Sequence, residues 1–264
     1  MKKCFTINTN RTTKEIESYY QLFYKGIYHA VEIFYPNNPL SDKHKLYTDN
    51  LKKLKNSFPS IEFVLHLPHG PANDLCNEDI LVDVLKIMKQ AIDYAAIYGV
   101  KKLTLHLGYL KECVSRNNAI TNIKIILRNL LDYCWQYQMV LMIENMPSEL
   151  ELGYSPEEIA SIINDIGDKN LKFILDTGHA HLSDYSPVEY IEKLSKSLYH
   201  IHLNDNNGKK DEHIKLGKGT IDFHLIFQKL NNINYNGLYC LEILFDNVND
   251  LIINACDLDK YIIN

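Results

Sequence analysis

Eight short apolar runs recur along the chain, each separated from the next by a stretch long enough for a returning helix. They are Cys4 to Asn8, Ala30 to Phe34, Glu62 to His66, Leu103 to His106, Val140 to Glu144, Phe173 to Asp176, Tyr199 to Leu203 and Leu238 to Leu244. β-Branched and aromatic residues are prominent in them, and they lack the alternation of a strand with one wet face. Such runs fit parallel strands buried on both faces. Strict alternation of strand and helix then leaves an open doubly wound sheet or a closed (β/α)8 barrel. The open dinucleotide-binding sheet would carry Gly-x-Gly-x-x-Gly after its first strand, and Asn8-Thr9-Asn10-Arg11 stands there instead. The expected fold is a (β/α)8 TIM barrel in a single domain, residues 1–264, a usual length for one such unit, and no Gly/Ser/Pro linker divides it.

Local chemistry marks the helices. Ser155-Pro156-Glu157-Glu158 and Ser186-Pro187-Val188-Glu189 each offer a Ser cap, Pro at the first helical position and Glu three residues after the cap, so both predict a capping box. Between Asn77 and Gly99, Ile80, Val84, Met88, Ile92 and Ala96 recur every fourth residue, with Asn77 placed as the cap and Gly99 as the stop. Further helices are expected from Thr121 to Gln136 and from Asp246 to Ile262. Trp135 and the tyrosines around it are read as core.

Six of the strand runs carry a metal-type side chain at or near their carboxyl end: His66, His106, Glu144, Asp176, His202 and Glu242. Barrels of this kind place their active sites at the carboxyl ends of the strands. Several carboxylates brought to one mouth repel strongly unless protonated or neutralised, and a divalent cation is the simplest neutraliser. The most concentrated stretch is Phe173 to His181, where a strand delivers Asp176 and, after a Thr-Gly turn, His179. A polar loop, Asn204 to Gly219, adds Asp211 and His213, candidates to complete a further metal position with His179; the bland alternative is a solvated loop. Mixed imidazole and carboxylate ligands suit Zn, Mn, Fe or Co better than Ca, and no organic cofactor is called for.

Charge and cysteine usage narrow the partners. The formal charge is -5, and Arg11, Arg116 and Arg128 are the only arginines, so nothing in the overall balance attracts DNA or an acidic membrane. Lys209, Lys210, Lys215 and Lys218 nevertheless form a cationic loop beside the expected site, and Lys215 is taken as a substrate contact. The six cysteines show no Cys-x-x-Cys spacing, and no signal sequence or membrane-length apolar run is present, which predicts a soluble, cytoplasmic protein. A homo-oligomer is left open.

The strand-end pattern resembles the xylose isomerase-like TIM barrel superfamily, which holds sugar isomerases and epimerases and also endonuclease IV, the apurinic-site repair enzyme. The similarity covers nearly the whole chain. Its sharpest pieces are Asp176-Thr177-Gly178-His179, His202-Leu203-Asn204-Asp205, Asp211-Glu212-His213 and Leu216-Gly217-Lys218-Gly219, and Ala30-Val31-Glu32-Ile33 after Gly26 is similar to the second strand of the isomerase-like branch. The resemblance implies a metal held by Glu144, Asp176, His202 and Glu242, with the two glutamates also moving protons. Endonuclease IV adds five ligands for a multi-zinc cluster, and matching residues stand at His66, His106, His179, Asp211 and His213.

Two enzymes follow as expectations. The first is a divalent-metal-dependent isomerase or epimerase acting on a small sugar or sugar phosphate through a metal-stabilised enediolate, with Glu144 and Glu242 as the acid-base pair. In it His66, His106 and His179 would hydrogen-bond sugar hydroxyls or hold further metal, and His69 would contact substrate or lie on the rim. The alternative is a phosphodiesterase acting on abasic-site DNA. A metabolite-binding barrel without turnover ranks third. His200, two residues before His202 on the same face, is expected to be structural, and His181 to cap the turn.

Overall fold

The computed structural model describes residues 1–36, 38 and 40–261. Eight strands, β1 (Lys2–Ile7), β2 (Ala30–Phe34), β3 (Glu62–His66), β4 (Lys102–Leu105), β5 (Val140–Glu144), β6 (Leu171–Asp176), β7 (Leu198–Leu203) and β8 (Leu238–Leu241), pair in parallel in chain order, and β1 closes on β8. The helices between them are α1 (Thr13–Ser18), α2 (Tyr20–Tyr24), α3 (Asp42–Ser57), α4 (Leu81–Ile97), α5 (Arg116–Trp135), α6 (Pro156–Ile166), α7 (Thr177–Leu182), α8 (Pro187–Leu194), α9 (Phe223–Asn232) and α10 (Val248–Lys260). The expected (β/α)8 barrel is the fold observed.

Side chains alternate across each strand, and here the alternation sorts them into two apolar regions. Outward residues such as Val31, Ile33, Phe63, Leu65, Leu103, Leu105, Leu141, Ile143, Phe173 and Leu175 pack against the helices in one continuous core. Inside the barrel lies a separate cluster of Cys4, Ala30, Val64, Met142, Ile174, Leu238 and Cys240. Two residues further along each strand, on the same inward face, stand Thr6, Glu32, His66, Glu144, Asp176 and Glu242. On β7 the inward pair is His200 and His202. The apolar cluster thus floors the barrel and the polar set forms its mouth.

Helix ends depart from expectation where a charged partner competes. At α8, Ser186 accepts from the Glu189 amide and Glu189 accepts in return from the Ser186 amide at 2.7 Å, a complete capping box. At α6 the Ser155 hydroxyl accepts from the Glu158 amide at 3.1 Å, but the Glu158 carboxylate turns to the Gly153 amide and the Arg116 guanidinium. Arg116 also donates to the carbonyls of Glu149 and Glu151, so this charge-assisted fork ties α5 to the loop after β5. The helix expected from Asn77 begins only at Leu81; Asn77 instead accepts from Lys111 Nζ at 2.6 Å and from the Asp79 amide at 3.2 Å, closing the turn ahead of the helix. The helix expected from Thr121 starts a turn earlier, at Arg116, because Ser115 caps it. α10 is capped by Asn247, and the expected last residue, Ile262, lies outside the described residues.

Trp135 is not core. It ends α5 at 72% exposure while its neighbour Cys134 is fully buried, so the helix turns the thiol, not the indole, toward the barrel. No helix among the described residues is long and apolar enough to cross a membrane.

Candidate metal centre

The six strand-end residues, His179 on α7 and the loop residues Asp211 and His213 meet at one mouth. Donor atoms of Glu144, Asp176, His202 and Glu242 lie within 4.8 Å of one another. Two further donor sets adjoin them, His66 with His106 and Glu144, and His179 with Asp211 and His213. Glu144 belongs to two sets. Its Oε2 faces His106 Nε2 at 3.0 Å and His66 Nε2 at 3.5 Å, and its Oε1 faces His202 Nδ1 at 3.2 Å. A carboxylate shared between two donor sets is placed to bridge ions.

Asp176 is locked on every side. Its Oδ1 accepts from the His179 amide at 2.7 Å, capping α7, and its Oδ2 accepts from Asn204 Nδ2 at 2.7 Å. Its backbone exchanges hydrogen bonds with the side chain of Asn145. The Thr-Gly turn expected after β6 is in fact the first turn of this helix. His181, expected to cap the turn, lies in α7 and reaches Thr220 Oγ1 at 2.9 Å.

The loop after β7 exposes Asn207 to Asp211 to solvent but is anchored at its base. Asp205 and Ile214 exchange backbone hydrogen bonds, and the Leu244 amide donates to the His213 carbonyl at 2.8 Å. The loop therefore doubles back over the mouth, and His213 takes a left-handed φ of 46° at the bend. There Asp211 Oδ2 sits 2.8 Å from His213 Nε2 and 3.4 Å from His179 Nε2.

The imidazole orientations test whether a cation fits. His66 Nδ1 lies 2.9 Å from the Leu67 carbonyl, His179 Nδ1 3.0 Å from that of Asn145, and His213 Nδ1 2.8 Å from that of Glu242. A carbonyl only accepts, so each Nδ1 carries a proton and each Nε2 is aimed into the mouth. Backbone carbonyls hold metal-ligating histidines in this way. The donor set, the burial and these fixed rings fit divalent cations.

Charge points the same way. Burial by itself raises the Glu144 carboxyl, but the nearby His202 and His106 hold it well below the usual range. Burial likewise raises Glu242, and His202 draws it down to about 2. Burial pushes Asp176 up to about 7, against the pull of His179 and with the help of Glu144 and Glu242. Burial opposes a charge on His202, yet Glu242, Glu32 and Glu144 raise it well above the ordinary imidazole value. Protons on imidazoles neutralise the carboxylates, which is the task a metal ion would take over.

Above the donors opens a cavity of about 450 Å³. His69 lines it beside His66 and His106, with ring centres 4.8 Å from each, and Phe34, Tyr109 and Glu151 complete the wall. Lys215, expected to touch substrate, does not reach the cavity because its Nζ pairs with Asp250 at 2.6 Å. Arg11 is held by Glu15 and the Phe245 carbonyl. Among the described residues no lysine or arginine lines the cavity.

The residue that sequence reasoning named only within the Ala30-Val31-Glu32-Ile33 run, without a role, is Glu32. Fully buried, it accepts from Thr104 Oγ1 at 2.7 Å and from Nε2 of both His200 and His202 at 2.8 Å. A glutamate and a threonine on the inward faces of otherwise apolar strands were the signal available.

Comparison with known proteins agrees with this fold. A solved structure described as a D-tagatose 3-epimerase-like protein superposes with a TM-score of 0.81 at 28% identity, covering 99% of this chain and 97% of the other. An uncharacterized protein of Methanocaldococcus jannaschii is 32% identical over 75% of this chain and 71% of its own length. A probable endonuclease 4 of Thermoplasma acidophilum is 30% identical over 56% of this chain and 55% of its own. Residues 26–257 match the family model described as the xylose isomerase-like TIM barrel, and the chain belongs to that family.

Proposed function

We propose that the chain is a divalent-metal-dependent isomerase or epimerase acting on a small, unphosphorylated sugar. The observation that supports it best is the convergence of Glu144 and Glu242, from β5 and β8, on one donor set with Asp176 and His202 at the floor of a cavity lined without lysine or arginine. A bound divalent ion, Zn, Mn, Fe or Co, would supply Lewis-acid polarisation of a carbonyl and its neighbouring hydroxyl. One glutamate takes the carbon-bound proton beside the carbonyl, and the other returns a proton at the opposite face or the adjacent carbon. Neither carboxylate has a lysine or arginine partner in the cavity; the imidazoles of His202 and His106 keep Glu144 ionised, and His202 does the same for Glu242, so both are ready to accept a proton. His66, His69 and His106 form the wall against which sugar hydroxyls lie, and the closed barrel beneath excludes water.

The test is proton exchange. Incubated in D2O with a panel of ketoses and Mn or Co, the protein is expected to introduce solvent deuterium at one sugar carbon. Glu242→Gln, whose amide oxygen can still face the donor set, should slow that exchange by about 10²- to 10⁴-fold when assayed at saturating metal. Unchanged exchange in this variant would remove Glu242 from the chemistry.

A second reading rests on the two additional complete donor sets, His66–His106–Glu144 and His179–Asp211–His213. Clustered metals of that kind serve phosphodiesterases. If this is the activity, an abasic-site duplex will be incised under Zn or Mn loading, with binding that weakens steeply as salt is added. An intact duplex after such loading rejects it.

A further inference from the structure

The carboxylate of Glu32 lies below the donor set, fully buried, and is shared by three hydrogen-bond donors. Thr104 Oγ1 donates to Oε1 at 2.7 Å, while His200 Nε2 and His202 Nε2 both stand 2.8 Å from Oε2. A carboxylate kept ionised only accepts, so both imidazoles present N–H groups to it. His200 makes no other hydrogen bond, its Nδ1 being buried without a partner, as expected of a ring protonated at Nε2 alone. His202 differs because its Nδ1 reaches the mouth, 3.0 Å from Glu242 Oε2, 3.2 Å from Glu144 Oε1 and 3.9 Å from Asp176 Oδ2. Its Nε2 is thus committed downward, and Nδ1 alone faces the carboxylates.

We propose that Glu32 is the positioning residue of this centre: by holding Nε2–H of His202 it reserves Nδ1 as the nitrogen offered to a metal ion. The inference rests on reading Glu144, Asp176, His202 and Glu242 as metal ligands. It divides the histidines into two kinds. His66, His179 and His213 give Nδ1 to backbone carbonyls and offer Nε2, whereas His202 gives Nε2 to a carboxylate and offers Nδ1. A carboxylate partner also strengthens the coordinating nitrogen more than a neutral carbonyl does. Thr104 and His200 keep Glu32 from rotating, so a second donor tier extends from the apolar floor to the mouth.

Two measurements test this. Long-range ¹H–¹⁵N correlation spectra of zinc-loaded protein labelled on histidine should show one ring coordinated through Nδ1, lost in His202→Gln, and every other coordinated ring through Nε2. Zinc titrations with a competing chelator should show Glu32→Gln weakening the metal by about 10- to 100-fold. Thr104→Val should weaken it by a smaller factor in the same direction, and Glu32→Asp should recover part of the loss. The thermal midpoint of each metal-free variant is measured alongside. Affinity lost with an unchanged metal-free midpoint supports positioning. Coordination of His202 through Nε2, or wild-type affinity in both Glu32→Gln and Thr104→Val, overturns the assignment and leaves the metal site standing. Affinity lost only in proportion to a fallen metal-free midpoint assigns Glu32 to the fold and also overturns it. Wild-type protein that takes up no metal overturns the ligand reading and this inference with it.

Discussion

Glu144→Ala is expected to leave the protein folded but with metal occupancy after desalting below about one-tenth of wild type, and with turnover reduced on the order of 10³-fold or more. Hydrogen-bond partners behind metal ligands are worth about 10- to 100-fold in affinity. A ligand that serves two donor sets should exceed that. Oε2 of Glu144 faces His66 and His106, and Oε1 faces His202, so its removal breaks both sets at once. It also strips buried imidazoles of their counter-ion, and an uncompensated buried charge costs about 3–5 kcal/mol. Burial works against protonated His202, which is raised well above the ordinary imidazole value by Glu242, Glu32 and Glu144 together, so the variant should retain part of that support. Inductively coupled plasma analysis of the desalted protein, with circular dichroism as the fold control, decides the matter. Wild-type metal content in a folded Glu144→Ala protein would show that the four-donor set is not the binding site.

Much of this centre could be read from residue order because a strand has a period of two. Once Val64, Met142, Ile174 and Cys240 face the barrel interior, His66, Glu144, Asp176 and Glu242 must face it too, two residues nearer the mouth. Eight runs in strict alternation with helices left two folds, the absence of Gly-x-Gly-x-x-Gly after the first run favoured the barrel, and the barrel determines which ends converge. What could not be read was the choice among partners far apart in the chain. Lys215 stood next to the expected site in sequence, yet Asp250 on α10 draws it away. Glu158 sat at a capping-box position, yet Arg116, from a different helix, outcompetes the Ser155 amide for its carboxylate. Glu32 sat in a strand whose other residues are apolar, and its three donors come from β4 and β7, so only the closed barrel shows why a charge is tolerated there. Trp135 failed for a simpler reason: helical period places Cys134 inward, and its neighbour must then point elsewhere.

Gly178→Ala is expected to damage both stability and the site, and the cause is space, not backbone conformation. Gly178 lies in α7 with no left-handed φ, but a Cβ built on it would stand 1.8 Å from Asn204 Oδ1, 2.9 Å from Asn204 Cγ and 3.1 Å from Asn206 Nδ2. Neither asparagine is free to yield. Asn204 Nδ2 donates to Asp176 Oδ2 at 2.7 Å, Asn206 Nδ2 donates to the Gly178 carbonyl at 2.9 Å, and both side chains are fully buried. Forcing a methyl group into a packed interior costs about 1–3 kcal/mol, and a buried hydrogen bond broken to make room adds about 1–3 kcal/mol. For a chain of this size that is a fall in the thermal midpoint of about 10 °C. Function should suffer separately from stability, because displacing Asn204 releases one oxygen of Asp176 from its fixed orientation, and metal affinity should drop by about tenfold even well below the new midpoint. Gly26→Ala is the contrast. Its φ of 63° is left-handed, but nothing lies within 4 Å of the added Cβ, so the cost should be held to about 1–2 kcal/mol of backbone strain with metal affinity unchanged. Differential scanning calorimetry and a chelator-competition titration on the two variants separate these effects. If Gly178→Ala melts no lower than Gly26→Ala and binds metal like wild type, the close packing of α7 against Asn204 does not hold Asp176 in place.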